Sequence, residues 1–467
     1  MATKAEMFFS GLKSKKVAVI GTGVSHADLI KLFCKKGIDV TVLDLKKAEE
    51  LGSKYDEFKA FGANFSLGES YLDNLSDYDV IFRTPGMYFN RPELSKAREA
   101  GCVVTSEMEV FFDICPCKIY AITGSDGKTT TTSIVSNILK ADGKTVHMGG
   151  NIGKTMLPYV EDISSDDVAV VELSSFQLIS MRQSPDVAVI TNISPNHLDV
   201  HGEMKEYIGA KCNLIWHQNA FSKTILNLDN KETADLSRFV RGRLVWFSRQ
   251  NEVRDGAFLD SDGYIVLSSK GENKRLMHKD LILLPGIHNV ENYLAAISAV
   301  YQDVSSDSII KVAETFGGVE HRIEFVRDIS GVRWYNDSIA TSPTRTIAGL
   351  NSFAQKLIVI AGGYDKNIPY EPLAPKIIEK VKTLILMGNT APKIETAVKK
   401  CDGYVPSDIE IIYADDMEEA VKKAREVAEK GDIVTLSPAS ASFDKYANFE
   451  VRGNHFKDLV NAMGGRE

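Results

Sequence analysis

The chain has 467 residues, is 44% hydrophobic and 25% charged, and carries a formal net charge of −8 at pH 7. This length predicts about three globular domains, and the negative charge argues against nucleic acid as a partner. No apolar run reaches the roughly 18 residues of a membrane span, and the N-terminus lacks the apolar segment of a signal peptide. Because the six cysteines form no C-x-x-C pair, we expect a cytoplasmic protein with reduced thiols.

The first segment, residues 1–110, has the pattern of a Rossmann-like βαβ unit. Val17–Ile20 predicts a buried strand, Gly21–Gly23 the turn after it, and Asp44 the end of the next strand about twenty residues later. His26 occupies the third glycine position of the dinucleotide fingerprint, so the turn suits a nucleotide diphosphate as well as NAD. The turn Thr84–Gly86 is predicted at the same edge of the sheet. A purely structural βαβ unit is the alternative.

The second segment, residues 111–318, contains a phosphate-binding loop. Ile119–Ile122 predicts a buried strand, and the helix-like run Thr131–Lys140 follows the loop. Backbone N–H groups at such a helix start bind phosphate, a lysine adds positive charge, and a threonine hydroxyl binds Mg²⁺. A chance turn between strand and helix is the alternative. The predicted loop comprises Gly124, Ser125, Asp126, Gly127, Lys128, Thr129 and Thr130.

Two further predicted strand ends add polar groups to this segment. Glu172 ends the apolar run Val168–Val171, the usual position for an acid beside a phosphate loop and Mg²⁺. His197 follows the next predicted strand, and its neighbours favour a role in the site over an ordinary loop histidine. Asn289 and Asn292 lie near the start of an Ala-rich helix, where they cap the helix or hydrogen-bond a purine.

The third segment, residues 319–467, predicts a second Rossmann-like unit. Its strand Leu357–Ala361 runs into Gly362–Lys366, and its last strand, Ile433–Leu436, runs into Ser437–Asp444. Alternating strands and helices predict mainly parallel sheets with helices on both faces. The sequence therefore predicts an α/β protein with a Rossmann-like N-terminal domain, a central P-loop ATPase-type domain and a Rossmann-like C-terminal domain.

The two α/β units that flank the phosphate loop indicate more than ATP hydrolysis. Their strand-end loops offer places for two further substrates, and three substrates suggest a ligase. ATP would phosphorylate a carboxylate, and an amine would then attack the acyl phosphate. Phosphoryl transfer needs positive charge, which Lys128, Lys366 and Mg²⁺ would supply.

Ten stretches in order along nearly the whole chain match one family. The chain resembles the Mur ligases of bacterial cell-wall synthesis, and is most similar to the members that add D-glutamate to UDP-N-acetylmuramoyl-L-alanine. The matching stretches are Gly124–Thr130, Gly149–Gly153, Glu172–Gln177, Asn192–Asp199, Leu284–Asn289, His321–Arg322, Asn336–Thr341, Gly362–Lys366, Leu436–Ser442 and Asn448–Gly453.

This resemblance implies roles for individual residues in peptidoglycan precursor synthesis. The implied catalytic residues are Lys128, Glu172, His197, Lys211 and Lys366, of which Lys211 would be carbamylated. Magnesium would be held by Thr129, Glu172, His197 and Lys211. The adenine and ribose would contact Asn289, Asn292, Arg322 and Asp337. The UDP substrate would contact Val24, Ser25, Asp44, Lys46, Gly86 and Asn151, and D-glutamate would contact Thr341, Lys366, Ser442 and Phe449. ATP and Mg²⁺ are the implied cofactors, and we expect a monomer.

The sequence departs from the family pattern at three positions. Ile339 stands where many members have lysine, Ser440 replaces a common cysteine, and His26 replaces a glycine. Two of the residues with implied roles also have purely structural alternatives. Lys211 could be an ordinary solvated lysine, and Phe449 could simply pack in the core.

Other functions stay open at this point. A ligase for another amino acid, such as L-alanine or a diamino acid, and a folylpolyglutamate synthase-like enzyme belong to the same superfamily. An NAD-dependent oxidoreductase would leave the phosphate loop unexplained. A P-loop ATPase without ligation would leave the Lys366 and Ser442 loops unexplained.

Overall fold

The computed structural model describes residues 2–195 and 198–464. The chain forms two compact units, Met1–Leu281 with Glu291–Val312, and Ile282–Val290 with Ala313–Glu467. The first unit contains two of the three sheets and the second contains the third. These α/β sheets confirm the predicted fold class, whereas the domain boundaries near residues 110 and 318 stay a prediction.

The first sheet is five-stranded and parallel, in the order β3-β2-β1-β4-β5. Strand β1 is apolar and fully buried because it lies in the middle of the sheet. The strand order reverses between β1 and β4, where open α/β sheets bind ligands. The strands are β1 Val17–Ile20, β2 Val40–Asp44, β3 Asn64–Leu67, β4 Val80–Phe82 and β5 Val103–Thr105; the helices are α1 Lys4–Leu12, α2 Val24–Lys35, α3 Ala48–Leu51, α4 Ser53–Ala60, α5 Pro92–Glu99 and α6 Glu107–Ile114.

The second sheet has nine strands in the order β14-β13-β12-β11-β10-β9-β6-β8-β7. It is parallel from β7 to β12 and antiparallel from β12 to β14. Its strands are β6 Lys118–Thr123, β7 Val146–Gly150, β8 Val168–Glu172, β9 Val187–Ile190, β10 Lys223–Asn227, β11 Arg243–Ser248, β12 Gly256–Leu259, β13 Tyr264–Ser269 and β14 Glu272–His278. The helices between β6 and residue 324 are α7 Lys128–Ala141, α8 Ser175–Leu178, α9 Leu198–His201, α10 Met204–Trp216, α11 Lys231–Ala234, α12 Ile287–Val300 and α13 Ser306–Thr315.

The third sheet has six strands in the order β15-β16-β20-β17-β18-β19, parallel except for the pair β15–β16. Its strands are β15 Glu324–Ile329, β16 Val332–Asn336, β17 Leu357–Gly362, β18 Val381–Met387, β19 Glu410–Tyr413 and β20 Ile433–Leu436. Its helices are α14 Pro343–Leu350, α15 Ala374–Lys380, α16 Ala391–Lys400, α17 Met417–Val427 and α18 Phe449–Ala462. Short 3₁₀ helices cover Leu75–Asp77, Leu157–Asp162, Asp235–Phe239, Lys279–Leu281 and Glu371–Leu373. Within residues 2–195 and 198–464, none of the helices has the length and apolar character needed to span a membrane.

Candidate active site

The phosphate loop joins β6 to α7 at the carboxyl end of the second sheet, as the sequence predicted. Gly127 adopts a left-handed conformation (φ +76°) directly before the first helical residue, Lys128. A Cβ atom at Gly127 would lie 2.3 Å from Oδ1 of Asn292. The loop therefore requires glycine here both for its backbone conformation and for the close approach of Asn292.

Hydrogen bonds within the phosphate loop and from neighbouring segments hold the loop in place. The amine of Lys128 donates to the carbonyls of Gly124 (3.0 Å) and Ser125 (2.8 Å), so it lies over the loop. The hydroxyl of Ser125 donates to Ser194 O and contacts the hydroxyl of Tyr207, both at 3.0 Å. Ser125 thus supports the loop from the buried side. Asp126, Thr129 and Thr130 are exposed or partly exposed.

Glu172 ends β8 beside this loop and is buried. Its Oε1 accepts a hydrogen bond from the side-chain amide of Asn151 at 2.8 Å. Its Oε2 is buried and has no hydrogen-bond partner among the described residues. An unsatisfied buried carboxylate oxygen is unfavourable, so this atom fits a site for a cation. Asn151, which the sequence analysis assigned as a contact of the UDP substrate, orients the carboxylate of Glu172 in this structure.

Lys211 lies in α10 and is only 1% exposed, so the alternative of a solvated lysine is wrong. Its amine donates to Gly124 O at 2.8 Å and to the hydroxyl of Thr123 at 3.3 Å. Burial, together with the nearby positive charge of Lys128, lowers the pKa of Lys211 from 10.5 to about 7. A large fraction of its amines is therefore neutral and nucleophilic at neutral pH.

The predicted nucleotide turn of the first sheet is organised by Asp44. Its Oδ2 accepts from the backbone N–H (3.0 Å) and the hydroxyl (2.8 Å) of Thr22, and its Oδ1 accepts from Lys46 N–H at 3.0 Å. Val24 and Ser25 begin α2, and Val24 is 79% exposed. Gly86 lines a cavity of about 660 Å³ after β4.

His26 fills the position of the missing glycine with a buried imidazole. Its Nδ1 lies 2.9 Å from Ile20 O, so it ties α2 to the end of β1. Burial lowers the pKa of His26 to about 4. The neutral ring is therefore a packing element under the turn.

Arg83, which the sequence analysis did not select, follows β4 and is 1% exposed. Its guanidinium donates to Met87 O at 2.6 Å on its own loop. It also donates to Phe176 O (3.1 Å) and to the hydroxyl of Ser180 (3.0 Å), beyond the strand end of Glu172. Arg83 thus joins the loop of Gly86 to the segment after β8. The sequence did contain a signal for this residue, since Arg83 is a charged residue directly after an apolar strand.

A second chain of polar contacts also joins the segment after β4 to the segment after β8. The hydroxyl of Tyr88 donates to Glu206 Oε2 at 2.8 Å, and Glu206 Oε1 lies 3.0 Å from His201 Nδ1. His201 Nε2 lies 2.9 Å from the hydroxyl of Ser175, and its ring stacks on Phe176. His201 and Glu206 are five residues apart, but Tyr88 and Ser175 are distant from them in the chain, so no local motif could have revealed this hydrogen-bond chain.

In the second unit, Asp337 lies directly after β16 and is buried. It accepts from the hydroxyl of Ser437 (3.0 Å) and from Ile323 N–H (3.3 Å). Burial raises the pKa of Asp337 to about 7. Arg322, which precedes Ile323 in the chain, is exposed. The amide of Asn289 donates to Pro285 O at 2.7 Å, at the start of α12.

The loops predicted for D-glutamate are connected through Arg452, which is 2% exposed. It donates to Ser338 O (2.9 Å), Ser440 O (3.1 Å) and Ala441 O (3.1 Å). Ser440, a departure from the family pattern, contacts the hydroxyls of Tyr370 and Thr390. Arg452 lies inside a matched stretch, but the match did not indicate this role.

The remaining predicted residues of this unit differ in exposure. Lys366 is exposed, Thr341 is partly exposed and Ser442 is buried. Phe449 is the first residue of α18 and is partly exposed, and its ring centroid lies 5.9 Å from that of His321. The alternative of pure core packing for Phe449 is therefore wrong. His197, the last predicted catalytic residue, lies outside the described residues.

Ile339, where lysine is common, has a cation beside it. The guanidinium of Arg345 donates to Ile339 O at 3.2 Å and is exposed.

Comparison with known proteins identifies the family of this chain. Family models match residues 15–106 (Mur ligase MurD-like, N-terminal domain), 122–300 (Mur ligase middle domain) and 321–440 (Mur ligase, glutamate ligase domain). A UDP-N-acetylmuramoylalanine–D-glutamate ligase of Acetivibrio thermocellus is 52% identical over 99% of this chain and 100% of its own. The chain belongs to the Mur ligase family. A relative of the same name from Clostridium acetobutylicum is 50% identical, covering 98% of each chain.

Solved structures of Mur ligases have the same fold. UDP-N-acetylmuramate-alanine ligase MurC of Thermotoga maritima matches with a TM-score of 0.56 at 17% identity, over 96% of this chain and 99% of its own. A UDP-N-acetylmuramoyl-L-alanyl-D-glutamate–2,6-diaminopimelate ligase also matches with a TM-score of 0.56, at 18% identity, over 96% of this chain and 92% of its own.

Proposed function

We propose that this Mur ligase joins D-glutamate to UDP-N-acetylmuramoyl-L-alanine with ATP, in the cytoplasm, during peptidoglycan precursor synthesis. The single observation that carries the proposal is the full-length identity of about half to proteins with that name. The geometry of the phosphate loop, with Glu172 and Lys211 beside it, supports the ATP-dependent step.

The reaction has two steps. The terminal phosphoryl group of ATP is transferred to the carboxylate of the L-alanyl substrate, which gives an acyl phosphate and ADP. The free amine of D-glutamate then attacks the acyl carbon, an amide bond forms, and phosphate leaves. The backbone N–H groups at the start of α7 and the amine of Lys128 hold the phosphates of ATP.

The residues beside the loop fit a magnesium ion. Mg²⁺ binds through one or two carboxylates together with substrate phosphates, and Glu172 Oε2 and the hydroxyl of Thr129 are the groups that would hold it. The ion would neutralise charge on the phosphates during transfer. No group of three or more His, Cys, Asp or Glu residues that would hold a metal occurs within residues 2–195 and 198–464, so substrate phosphates would complete the coordination.

Lys211 has a further part in this proposal. A neutral amine attacks CO₂, and loss of one proton leaves a carbamate. The modified side chain carries oxygen atoms and a negative charge in place of a cation, which suits a second Mg²⁺. The lowered pKa of Lys211 supports this reaction, because a protonated amine has no lone pair to react.

The substrate residues retain their predicted roles within the proposal. The exposed start of α2 and the Gly86 cavity suit the UDP moiety, since a helix N-terminus binds phosphate. Exposed Lys366 suits a carboxylate of D-glutamate, with Thr341, Ser442 and Phe449 around it. The roles of Asn289, Asn292, Arg322 and Asp337 toward adenosine stay predictions.

A phosphate-release assay tests the proposal. Purified protein with Mg-ATP and UDP-N-acetylmuramoyl-L-alanine should release phosphate only when D-glutamate is added, and mass spectrometry should detect the corresponding amide. L-glutamate, L-alanine and a diamino acid serve as matched controls. Equal release with L-glutamate, or with no amino acid, would contradict the proposal, and preference for another amino acid would assign the chain to a different Mur reaction.

A further inference from the structure

Two cysteines flank a single proline at the junction of α6 and β6. The Sγ atoms of Cys115 and Cys117 are 3.6 Å apart. Cys115 ends α6, where its N–H donates to Phe111 O at 2.9 Å, and Cys117 directly precedes β6. The two cysteines therefore lie directly beside the end of a helix and the start of a strand, and this short connection places their sulfur atoms close together.

Only one of the two thiols is open to reagents. Cys115 is partly exposed and lines a cavity of about 580 Å³, together with Thr3, Lys4 and Ile163. Cys117 is 7% exposed, behind Cys115. A small molecule that enters the cavity therefore meets Cys115 first.

The contact between the thiols makes them chemically unequal. The hydrogen bond between the two thiols lowers the pKa of Cys115, and the positive charge of Lys4 contributes in the same direction. The same contact raises the pKa of Cys117. Since the thiolate is the nucleophile in disulfide exchange, Cys115 is the attacking group and Cys117 the second thiol.

We propose that Cys115 and Cys117 form a reactive dithiol site whose co-reactants are low-molecular-weight disulfides. The Cys115 thiolate attacks one sulfur of the reagent, which forms a mixed disulfide and expels one thiolate. Cys117 then loses its proton and attacks Sγ of Cys115, which expels the second thiolate. The two protons of the cysteines pass to the two leaving thiolates. The protein is oxidised by two electrons and the reagent is reduced to two thiols.

The resulting disulfide is readily reversible. Dithiothreitol reverses the exchange, because its thiolate attacks one sulfur of the disulfide and expels the thiolate of the other cysteine. Its second thiol then resolves the mixed disulfide, so both cysteine thiols should be restored. The site adjoins the strand that leads into the phosphate loop, and it is independent of the proposed ligase activity.

Peptide mapping of the full chain treated with oxidised glutathione tests the site. The expected result is a loss of two hydrogen atoms from the peptide that contains both cysteines, reversed by dithiothreitol. Cys34 and Cys401 are also partly exposed, but neither is near another cysteine in the sequence, so they should stop at glutathione adducts. A stable glutathione adduct on Cys115, or an unchanged peptide while Cys34 and Cys401 react, would overturn the proposal.

Two variants check the order of the steps. Cys117→Ser should stop at a glutathione adduct on Cys115. Cys115→Ser should leave Cys117 unmodified, because the buried thiol then lacks the first step. Modification of Cys117 in the folded Cys115→Ser variant would contradict the assigned order. If either variant fails to fold by circular dichroism, the mapping of the unaltered chain decides the question alone.

Discussion

The replacement of Lys211 by methionine should change the pH dependence of stability in a defined way. Methionine has a similar volume and no charge. The folded protein lowers the pKa of Lys211 from 10.5 to about 7, which corresponds to a free-energy cost of at most about 5 kcal/mol for the protonated form. Above pH 10.5 the amine is neutral in both folded and unfolded chains, so the cost is absent. As the pH falls toward 7, the unfolded chain binds a proton that the folded chain resists, and the cost appears.

The measurement is chemical denaturation of both proteins at pH 9 and pH 7 in CO₂-free buffer. The free energy of unfolding of the unaltered chain should fall relative to Lys211→Met by about 2 kcal/mol between these pH values. The lost hydrogen bonds to Gly124 O and to the hydroxyl of Thr123 affect the comparison equally at both pH values. A difference that is the same at pH 9 and pH 7 would refute the reasoning.

The same residue links stability to activity. Bicarbonate should increase phosphate release by the CO₂-depleted protein, while Lys211→Met should stay inactive with or without it. Lys223 offers a matched control, since it is a buried lysine whose pKa burial lowers to about 8, and its amine donates to Ala299 O. Lys223→Met should show a pH effect on stability of the same sign but smaller, about 1 kcal/mol between pH 9 and pH 7, and it should keep its response to bicarbonate.

Three further substitutions test other parts of the site. Lys128→Ala should abolish turnover while UDP-N-acetylmuramoyl-L-alanine still binds by calorimetry; persistent turnover would remove the loop from the phosphoryl site. Tyr88→Phe should raise the KM for the UDP substrate about fivefold, which corresponds to the loss of about one hydrogen bond. In the double variant, Glu206→Gln should raise the KM little further, because the first substitution has already broken the hydrogen bond between the two residues. Additive effects on the KM would argue against a hydrogen-bond chain that connects Tyr88 and Glu206. Arg345→Ala should lower kcat and Arg345→Lys should retain it, if this cation replaces the lysine absent at Ile339; unchanged kcat in both would exclude that role.

The sequence by itself determined the parts of this protein that depend on contiguous residues. The phosphate loop, β6, α7 and the strand-end Glu172 were all predicted, because strand, turn and helix follow one another within short stretches. The apolar runs of the parallel strands were equally clear, since buried strands are apolar on both faces. Strand β14 was not predicted, because it is largely exposed and charged and carries no apolar run.

Tertiary structure alone decided the properties that depend on burial and on distant contacts. The loop lysine that we propose to bind phosphate is visible in the sequence. The lowered pKa of Lys211 arises only because α10 places its amine, buried, against the loop. Arg83 and the chain from Tyr88 to Ser175 join segments roughly ninety residues apart. In the sequence His26 is only a missing glycine, whereas in the structure its buried ring contacts the carbonyl of Ile20 at the end of β1. Spacing along the chain carries no information on desolvation, which arises only when the sheets and helices have packed.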